Sequence, residues 1–278
     1  MLRKRTGGRI EGLFLSEVGP GLWNVMLKGL ERYGSAPLYF ELAPEIEAHV
    51  TRAGEAGEYE LSVQTTEPAT AILDRIGRMP LPPYIKRDKG HDERDALDRG
   101  RYQTIFARVP GAVAAPTAAL HFTEQLLDSL DAAGVARVFV TLEVGLGTFK
   151  PVTAEDLQDH VMHVEPYRIT PEAAEGLNQA IQAGRRIIAV GTTAARVLES
   201  QPPGEPFAAG SGTTGIFIRP PYAWKHVDAL ITNFHLPRST LIALVAAMTG
   251  LEEQRRLYQI AIAERYRFFS YGDSMFIE

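Results

Sequence analysis

Between Gly8 and Val63 the chain repeats short runs in which apolar and polar residues partly alternate: Gly8–Ser16, Gly21–Lys28, Leu38–Leu42, Ala48–Ala53 and Glu58–Val63. Gly, Pro and Ser residues separate them, as in Val18-Gly19-Pro20-Gly21 and Gly54-Glu55-Ala56-Gly57. A period of two puts one face of each run inward, and closely spaced short strands predict a small antiparallel barrel or sandwich. A short helix follows over Thr70–Gly77, and Met79-Pro80-Leu81-Pro82-Pro83 ends it rigidly. The Pro cluster predicts a domain boundary, with a smaller antiparallel β-barrel domain over 1–78 and an α/β main domain over 79–278.

After Ala112 the period changes. Helices are predicted over Phe122–Ala133, with Thr123 as cap, and over Pro171–Ala183, Ala194–Ser200, 239–249 and 251–265. Strands are predicted over Val138–Leu142, Arg186–Val190 and Val227–Ile231, and Gln201–Thr214 reads as a Gly/Pro loop. Alternating strands and helices define α/β architecture.

The chain has 278 residues, 45% of them hydrophobic and 23% charged, which is an ordinary globular composition. It has no cysteine, which excludes disulfides, thiolate nucleophiles and Cys-ligated metal centres. No apolar run approaches the ~20 residues that span a bilayer, and the N-terminal Met-Leu-Arg-Lys-Arg lacks a secretory apolar core, so a cytoplasmic location without membrane contact is expected. The formal net charge of −5 means that any polyanion must be met by a local basic patch. Lys86, Arg87, Lys89, Arg94, Arg99, Arg101 and Arg108 form the best candidate, interrupted by Asp88, Asp92, Glu93, Asp95 and Asp98.

Five segments carry candidate chemistry. Asp228-Ala-Leu-Ile-Thr-Asn233-Phe-His235-Leu-Pro-Arg238-Ser-Thr240 begins as a strand, breaks into polar residues and ends on a helix cap. Ligands of α/β sheets bind at such carboxyl strand ends. Ala114-Ala-Pro-Thr-Ala-Ala-Leu-His121-Phe joins small residues to one histidine. Glu143-Val-Gly145-Leu-Gly147-Thr148 follows a strand but lacks the third glycine of a dinucleotide fingerprint. Gly191-Thr192-Thr193 can cap a helix or present N–H groups to an anion. Arg265-Tyr-Arg267-Phe-Phe269-Ser-Tyr271-Gly-Asp273 can stack a nucleobase or close the core as a strand. His160, His163 and Glu165 resemble zinc-ligand spacing, but Pro166 makes the segment extended, and no metal is expected. Physical reading alone yields an enzyme with a polar cleft and leaves its reaction open.

Taken in order, Met79-Pro-Leu-Pro-Pro-Tyr-Ile, Arg101-Tyr-Gln-Thr, Val113-Ala-Ala-Pro-Thr-Ala-Ala-Leu-His-Phe, Val144-Gly-Leu-Gly-Thr-Phe-Lys-Pro-Val, Met162-His163, Gly191-Thr-Thr, Asp228–Thr240 and Tyr266-Arg-Phe-Phe-Ser-Tyr-Gly-Asp resemble one set of motifs. They are those of the S-adenosylmethionine:tRNA ribosyltransferase-isomerase family of queuosine biosynthesis. The resemblance covers most of 79–278, and residues 1–78 match loosely, as the family's small β-barrel. Three departures accompany it. A segment usual in the family is expected to be absent before Leu2, Ala119 replaces a glycine, and Glu143 and Leu146 replace a histidine and an alanine.

The resemblance implies an enzyme that transfers and isomerises the ribosyl part of S-adenosylmethionine onto 7-aminomethyl-7-deazaguanine at a tRNA wobble position. Epoxyqueuosine-tRNA forms, with adenine and methionine released. S-adenosylmethionine is then a co-substrate, no metal is needed, the partner is tRNA, and a monomer is expected. His121, His163, His235 and Asp273 are the candidate acids and bases, with Glu165 as a substitute base. Gly145, Gly147, Thr148, Thr192, Thr193, Asn233, Arg238, Phe269 and Tyr271 are candidates for S-adenosylmethionine; Thr192, Thr193 and Arg238 suit its carboxylate, and Phe269 or Tyr271 its adenine, as does Phe268. Lys86, Arg87, Arg94 and Arg101 are candidates for the tRNA backbone. Another S-adenosylmethionine-dependent transferase, or a catalytically silent tRNA-binding relative, stands as the alternative.

Overall fold

The computed structural model describes residues 1–30, 36–55, 57–82, 84–88, 92–108, 114–145 and 157–278. Pro83, Lys89, Val113, Leu146, Gly147 and Thr148, singled out above, lie outside the described residues. Two compact units make up the chain, Met1–Gly100 and Arg101–Glu278.

In the first unit, β1 (Leu2–Lys4), β2 (Arg9–Gly19), β3 (Leu22–Lys28), β4 (Leu38–Phe40), β5 (Ala43–Ala53) and β6 (Glu58–Val63) close into a barrel in the order β1-β2-β3-β6-β5-β4. All neighbouring pairs are antiparallel. Strand β3 shows why the sequence folds this way: Trp23, Val25 and Leu27 point inward while Leu22, Asn24 and Met26 stay half-buried. The alternation is imperfect in β2 because its register against β3 shifts between Phe14 and Ser16 and again between Glu17 and Gly19. Each bulge adds a residue and reverses which side chains face inward.

Helix α1 (Ala69–Ile76) covers the barrel, and Ala69 and Ile72 join its core. Its N-cap, Pro68, offers no capping side chain. Glu17 replaces it, accepting from Ala69 N at 3.1 Å and from Trp23 Nε1 at 3.3 Å. The barrel wall thus caps the helix.

Residues 79–100 group with the barrel unit, although the sequence patterns place them after the Pro-rich boundary. Arginines fasten them there. Arg78 forks onto Asp95 and donates to Asp88 O, while Arg99 donates to Asp74 O at 2.7 Å and Gly77 O at 2.8 Å. Helix α2 (Asp95–Arg101) forms within this charged run, where no helix is predicted from apolar periodicity.

The second unit contains α3 (Glu124–Ala132), capped by the Thr123 hydroxyl, which accepts from Leu126 N. Strands β7 (Val140–Leu142) and β8 (Glu165–Ile169) precede α4 (Pro171–Gln182), β9 (Ile188–Val190) and α5 (Thr192–Glu199). Then come β10 (Gly210–Thr214), β11 (Ala229–Asn233), α6 (Thr240–Thr249), α7 (Leu251–Ala263) and β12 (Ser274–Ile277). The described strands form two three-stranded sheets, β10-β8-β7 and β12-β11-β9. In the second, β9 runs parallel to β11 and β12 antiparallel to it.

Strand β10 corrects the expectation of a loop through Thr214. Its sequence, Gly-Ser-Gly-Thr-Thr, carries no apolar alternation, and the partner decides the conformation. Gly210 to Thr214 pair with Ile169 to Glu165. The Tyr167 ring lies across Gly212, where a Cβ would stand only 2.7 Å from it. Ile169, Leu177, Ala189, Val197, Leu230 and Val245 build the core between these layers.

A buried carboxylate ties the loop before β11 to α5. Glu199 has no exposed surface and accepts from Lys225 N, His226 N, Val227 N and the Tyr222 hydroxyl, each at 2.9–3.0 Å in its shortest contact. Its anionic charge is one cause, after burial, that pushes the Tyr222 phenol well above its ordinary value. Replacing Glu199 by Ala strands these donors in the core and is expected to destabilise the protein by about 3–5 kcal/mol. Urea unfolding checks this; an unchanged midpoint would show that the loop holds without the carboxylate.

Candidate active site

The parallel pairing of β9 with β11 brings two carboxyl strand ends to one edge. Gly191 N continues the pairing, donating to Ile231 O at 2.8 Å. Gly191 has φ of 90° and caps α5. A Cβ there would sit 3.7 Å from the Cβ of Ala118, so this turn runs close against the 3₁₀ helix Thr117–His121. The small residues before His121 let that approach happen.

Asn233 ends β11 and is 2% exposed. Its Oδ1 accepts from the Thr117 hydroxyl at 3.1 Å, and its Nδ2 lies 3.1 Å from His121 Nε2. With Oδ1 accepting, Nδ2 is the donor, so a neutral His121 carries its proton on Nδ1. Burial holds the His121 pKa below its ordinary value; Asp273 opposes this and Arg267 reinforces it. In the present contact the ring offers an N–H at Nδ1, and it must release Asn233 before Nε2 can take a proton.

Antiparallel β12 delivers Asp273 to the same edge, because Ser274 pairs with Asn233. The Asp273 carboxylate accepts from Arg267 N at 2.8 Å and Arg267 Nη2 at 3.0 Å, and these bonds hold its pKa below the usual carboxylate range. It therefore stays ionised at neutral pH and favours charge on His121.

His235 is directed differently. Its Nε2 is 2.7 Å from Thr232 Oγ1, and its backbone N donates to the Tyr258 hydroxyl at 2.9 Å. Burial lowers its pKa to about 4, so it is neutral at pH 7. Phe269 has φ of 71°, and its N donates to Phe234 O at 2.8 Å, which places its backbone beside the His235 turn. Tyr271 is exposed, with its ring centroid 5.2 Å from that of Tyr102.

A second polar group adjoins α5. Thr192 and Thr193 open this helix, and Arg196 follows them by four and three residues on the same face. Arg196 is buried and donates through Nη1 to Glu165 Oε2, while Glu165 Oε1 accepts from Gly145 N at 3.2 Å. Glu165 and Arg196 share a pocket of about 30 Å³ with His160, His163, Thr240 and Leu244. No sequence motif singles out Arg196. The one signal is a lone guanidinium inside Ala194-Ala195-Arg196-Val197-Leu198, a stretch otherwise apolar.

The remaining candidates stand apart. Arg238 is exposed, at φ of 57°. Arg87 forks onto Asp98 and Arg94 onto Asp92, so their charge is answered within the first unit; Lys86, Arg94 and Arg101 are exposed. Among the described residues no group of three or more His, Asp or Glu side chains could hold a metal ion. No described helix is long and apolar enough to cross a membrane.

The His235 shift makes stability depend on pH. Folding lowers its pKa from 6.5 to about 4, so between those values the unfolded chain binds a proton that the folded protein refuses. Its contribution is therefore complete above pH 6.5 and is lost as pH falls toward 4, by up to roughly 3 kcal/mol. Urea unfolding at about pH 7 and about pH 4.5 should show this loss shrinking in His235→Gln. Equal losses in both proteins would rule out this histidine.

The family model described as queuosine biosynthesis protein matches residues 1–277. A relative from Methylocella silvestris, named S-adenosylmethionine:tRNA ribosyltransferase-isomerase, is 50% identical over 96% of this chain and 74% of its own length. One of the same name from Thermus thermophilus is 47% identical over 100% of this chain and 79% of its own. A crystal structure of an S-adenosylmethionine tRNA ribosyltransferase from Thermotoga maritima aligns with 97% of this chain and 75% of its own at 29% identity, with a TM-score of 0.47. With a match that runs from the first barrel strand to the last strand of the second unit, the chain belongs to the queuosine biosynthesis protein family.

Proposed function

We propose that this protein is an S-adenosylmethionine:tRNA ribosyltransferase-isomerase. It transfers the ribosyl group of S-adenosylmethionine to 7-aminomethyl-7-deazaguanine at the wobble position of a tRNA and isomerises it to epoxyqueuosine. Adenine and methionine leave. The observation that carries this reading is that relatives bearing the name match 96% and 100% of the chain.

The chemistry accounts for the site. A sulfonium acidifies the hydrogens on the adjacent ribose 5′ carbon, and a base must remove one. His121 is our candidate: its lowered pKa keeps it neutral at pH 7, and the ionised Asp273 stabilises the imidazolium that proton uptake creates. The same imidazolium can return its proton to the departing adenine. His235, with its pKa near 4, is a poor proton acceptor and serves to shape the turn after β11. His163 reaches the reaction only from the pocket of Glu165 and Arg196. Gly145, Thr192, Thr193 and Asn233 hold S-adenosylmethionine through polar groups, and Phe269 or Tyr271 offers adenine a ring face. Lys86, Arg87, Arg94 and Arg101 position the tRNA backbone. The protein acts as a cytoplasmic monomer.

Mass spectrometry of adenine and methionine release with substrate tRNA tests the reaction. Methyl transfer without free adenine would instead identify another S-adenosylmethionine-dependent transferase, and tRNA binding without either product a silent relative. His121→Ala is expected to slow product release about 10²–10⁴-fold while barely shifting thermal stability; normal turnover would remove His121 from the chemistry. Arg101→Ala is expected to weaken tRNA binding and to lower the slope of log K against log salt by about 0.9, the value for one phosphate contact. An unchanged slope would mean that Arg101 meets only solvent.

A further inference from the structure

Arg196 is 5% exposed, and two of its nitrogens, Nε and Nη2, find no hydrogen-bond partner among the described residues. Burying such donors without acceptors is unfavourable, more so on a charged group. Nη1 has its acceptor in Glu165, which fixes the orientation of the guanidinium plane. The two unanswered nitrogens are adjacent and form one edge of the fork. That edge matches the spacing of two carboxylate oxygens, each taking one N–H.

The surroundings narrow the choice of ligand. The pocket holds about 30 Å³. That enclosed space suits one or two waters or one small terminal group. The Glu165 carboxylate neutralises the guanidinium, so the pair carries no net charge. Such a pair complements the zwitterionic end of an amino acid better than a phosphate dianion. Arg196 also lies one turn beyond Thr192 and Thr193, whose helix start faces the edge that holds Asn233.

We infer that Arg196, oriented by Glu165, is the anchor for the α-carboxylate of the methionine part of S-adenosylmethionine. This rests on the function proposed above. It assigns to a buried residue the contact for which the family resemblance suggests Thr192, Thr193 and exposed Arg238. The edge of Nε and Nη2 takes the two carboxylate oxygens, and the α-ammonium lies toward the acidic side of the pair. No bond is made or broken at this end of the molecule. Arg196 sets where the sulfonium stops.

Calorimetry with S-adenosylmethionine and with its analogue lacking the α-carboxylate separates this contact from general binding. Wild-type protein should prefer the carboxylate form by about 10–100-fold, the range for hydrogen bonds between charged groups. Arg196→Lys keeps the charge beside Glu165 but loses the two-pronged edge, and most of that preference should disappear while tRNA affinity stays unchanged. Should Arg196→Lys fail to fold, Glu165→Gln combined with Arg196→Gln removes both charges together and should show the same loss of preference. A variant that retains the wild-type preference overturns the assignment, as does a variant that loses tRNA affinity instead, which would mark a phosphate site. Wild-type protein that binds neither form overturns the function proposed above along with this inference. Wild-type binding without preference overturns this inference alone.

Discussion

The candidate site depends on the parallel pairing of β9 with β11. Parallel strands end at the same edge of a sheet, so Gly191 and Asn233 emerge together although 42 positions separate their numbers in the chain. The bond from Gly191 N to Ile231 O extends that pairing to the last possible residue. Beyond it the backbone turns at a positive φ that glycine adopts without strain, and α5 starts. Antiparallel β12 completes the edge with Asp273, and the 3₁₀ helix supplies His121 through Asn233. A shift in this pairing would move Gly191 and the start of α5 away from Asn233, His121 and Asp273.

The same edge sorts its ionisable groups by environment. Two histidines are held neutral by burial, one in contact with Asn233 and one with Thr232. The difference between them is their neighbours: Asp273 acts on His121 and opposes its desolvation, while His235 has burial as its cause alone. Of the two, only His121 has a carboxylate that stabilises its protonated ring, which favours His121 over His235 for proton transfer.

Charged residues elsewhere serve two ends. In the segment after α1, arginines and aspartates form a set of close pairs, Arg78 with Asp95, Arg87 with Asp98 and Arg94 with Asp92. These fasten a chain segment that has few apolar residues with which to bury itself. Their positive charge is partly answered inside the protein: of the four candidates Lys86, Arg94 and Arg101 are exposed and Arg87 is half-buried, and Arg87 and Arg94 each meet a carboxylate. Arg196 is the reverse case, a buried cation with Glu165 as its acceptor and two nitrogens that find none among the described residues.

Much of this was legible in the sequence where local forces act alone. The alternation of Trp23, Val25 and Leu27 follows from the period of a strand, and the caps Thr123 and Ser239 from hydroxyls placed before apolar helices. The polar break after Ile231 marked the strand end that holds Asn233. Strand β10 was not legible, since Gly-Ser-Gly-Thr-Thr becomes a strand only where the Tyr167 ring covers Gly212. Nor was α2, whose fastening bonds join residues up to 25 positions apart. The role of Arg196 depends on Glu165, 31 positions away, and on a pocket assembled from several elements. Sequence by itself determined most of the elements, the caps at Thr123 and Ser239 and the candidate chemistry, because those depend on neighbours along the chain. Only the tertiary structure decided which of these groups meet and which are buried, because hydrogen bonding and desolvation depend on neighbours in space.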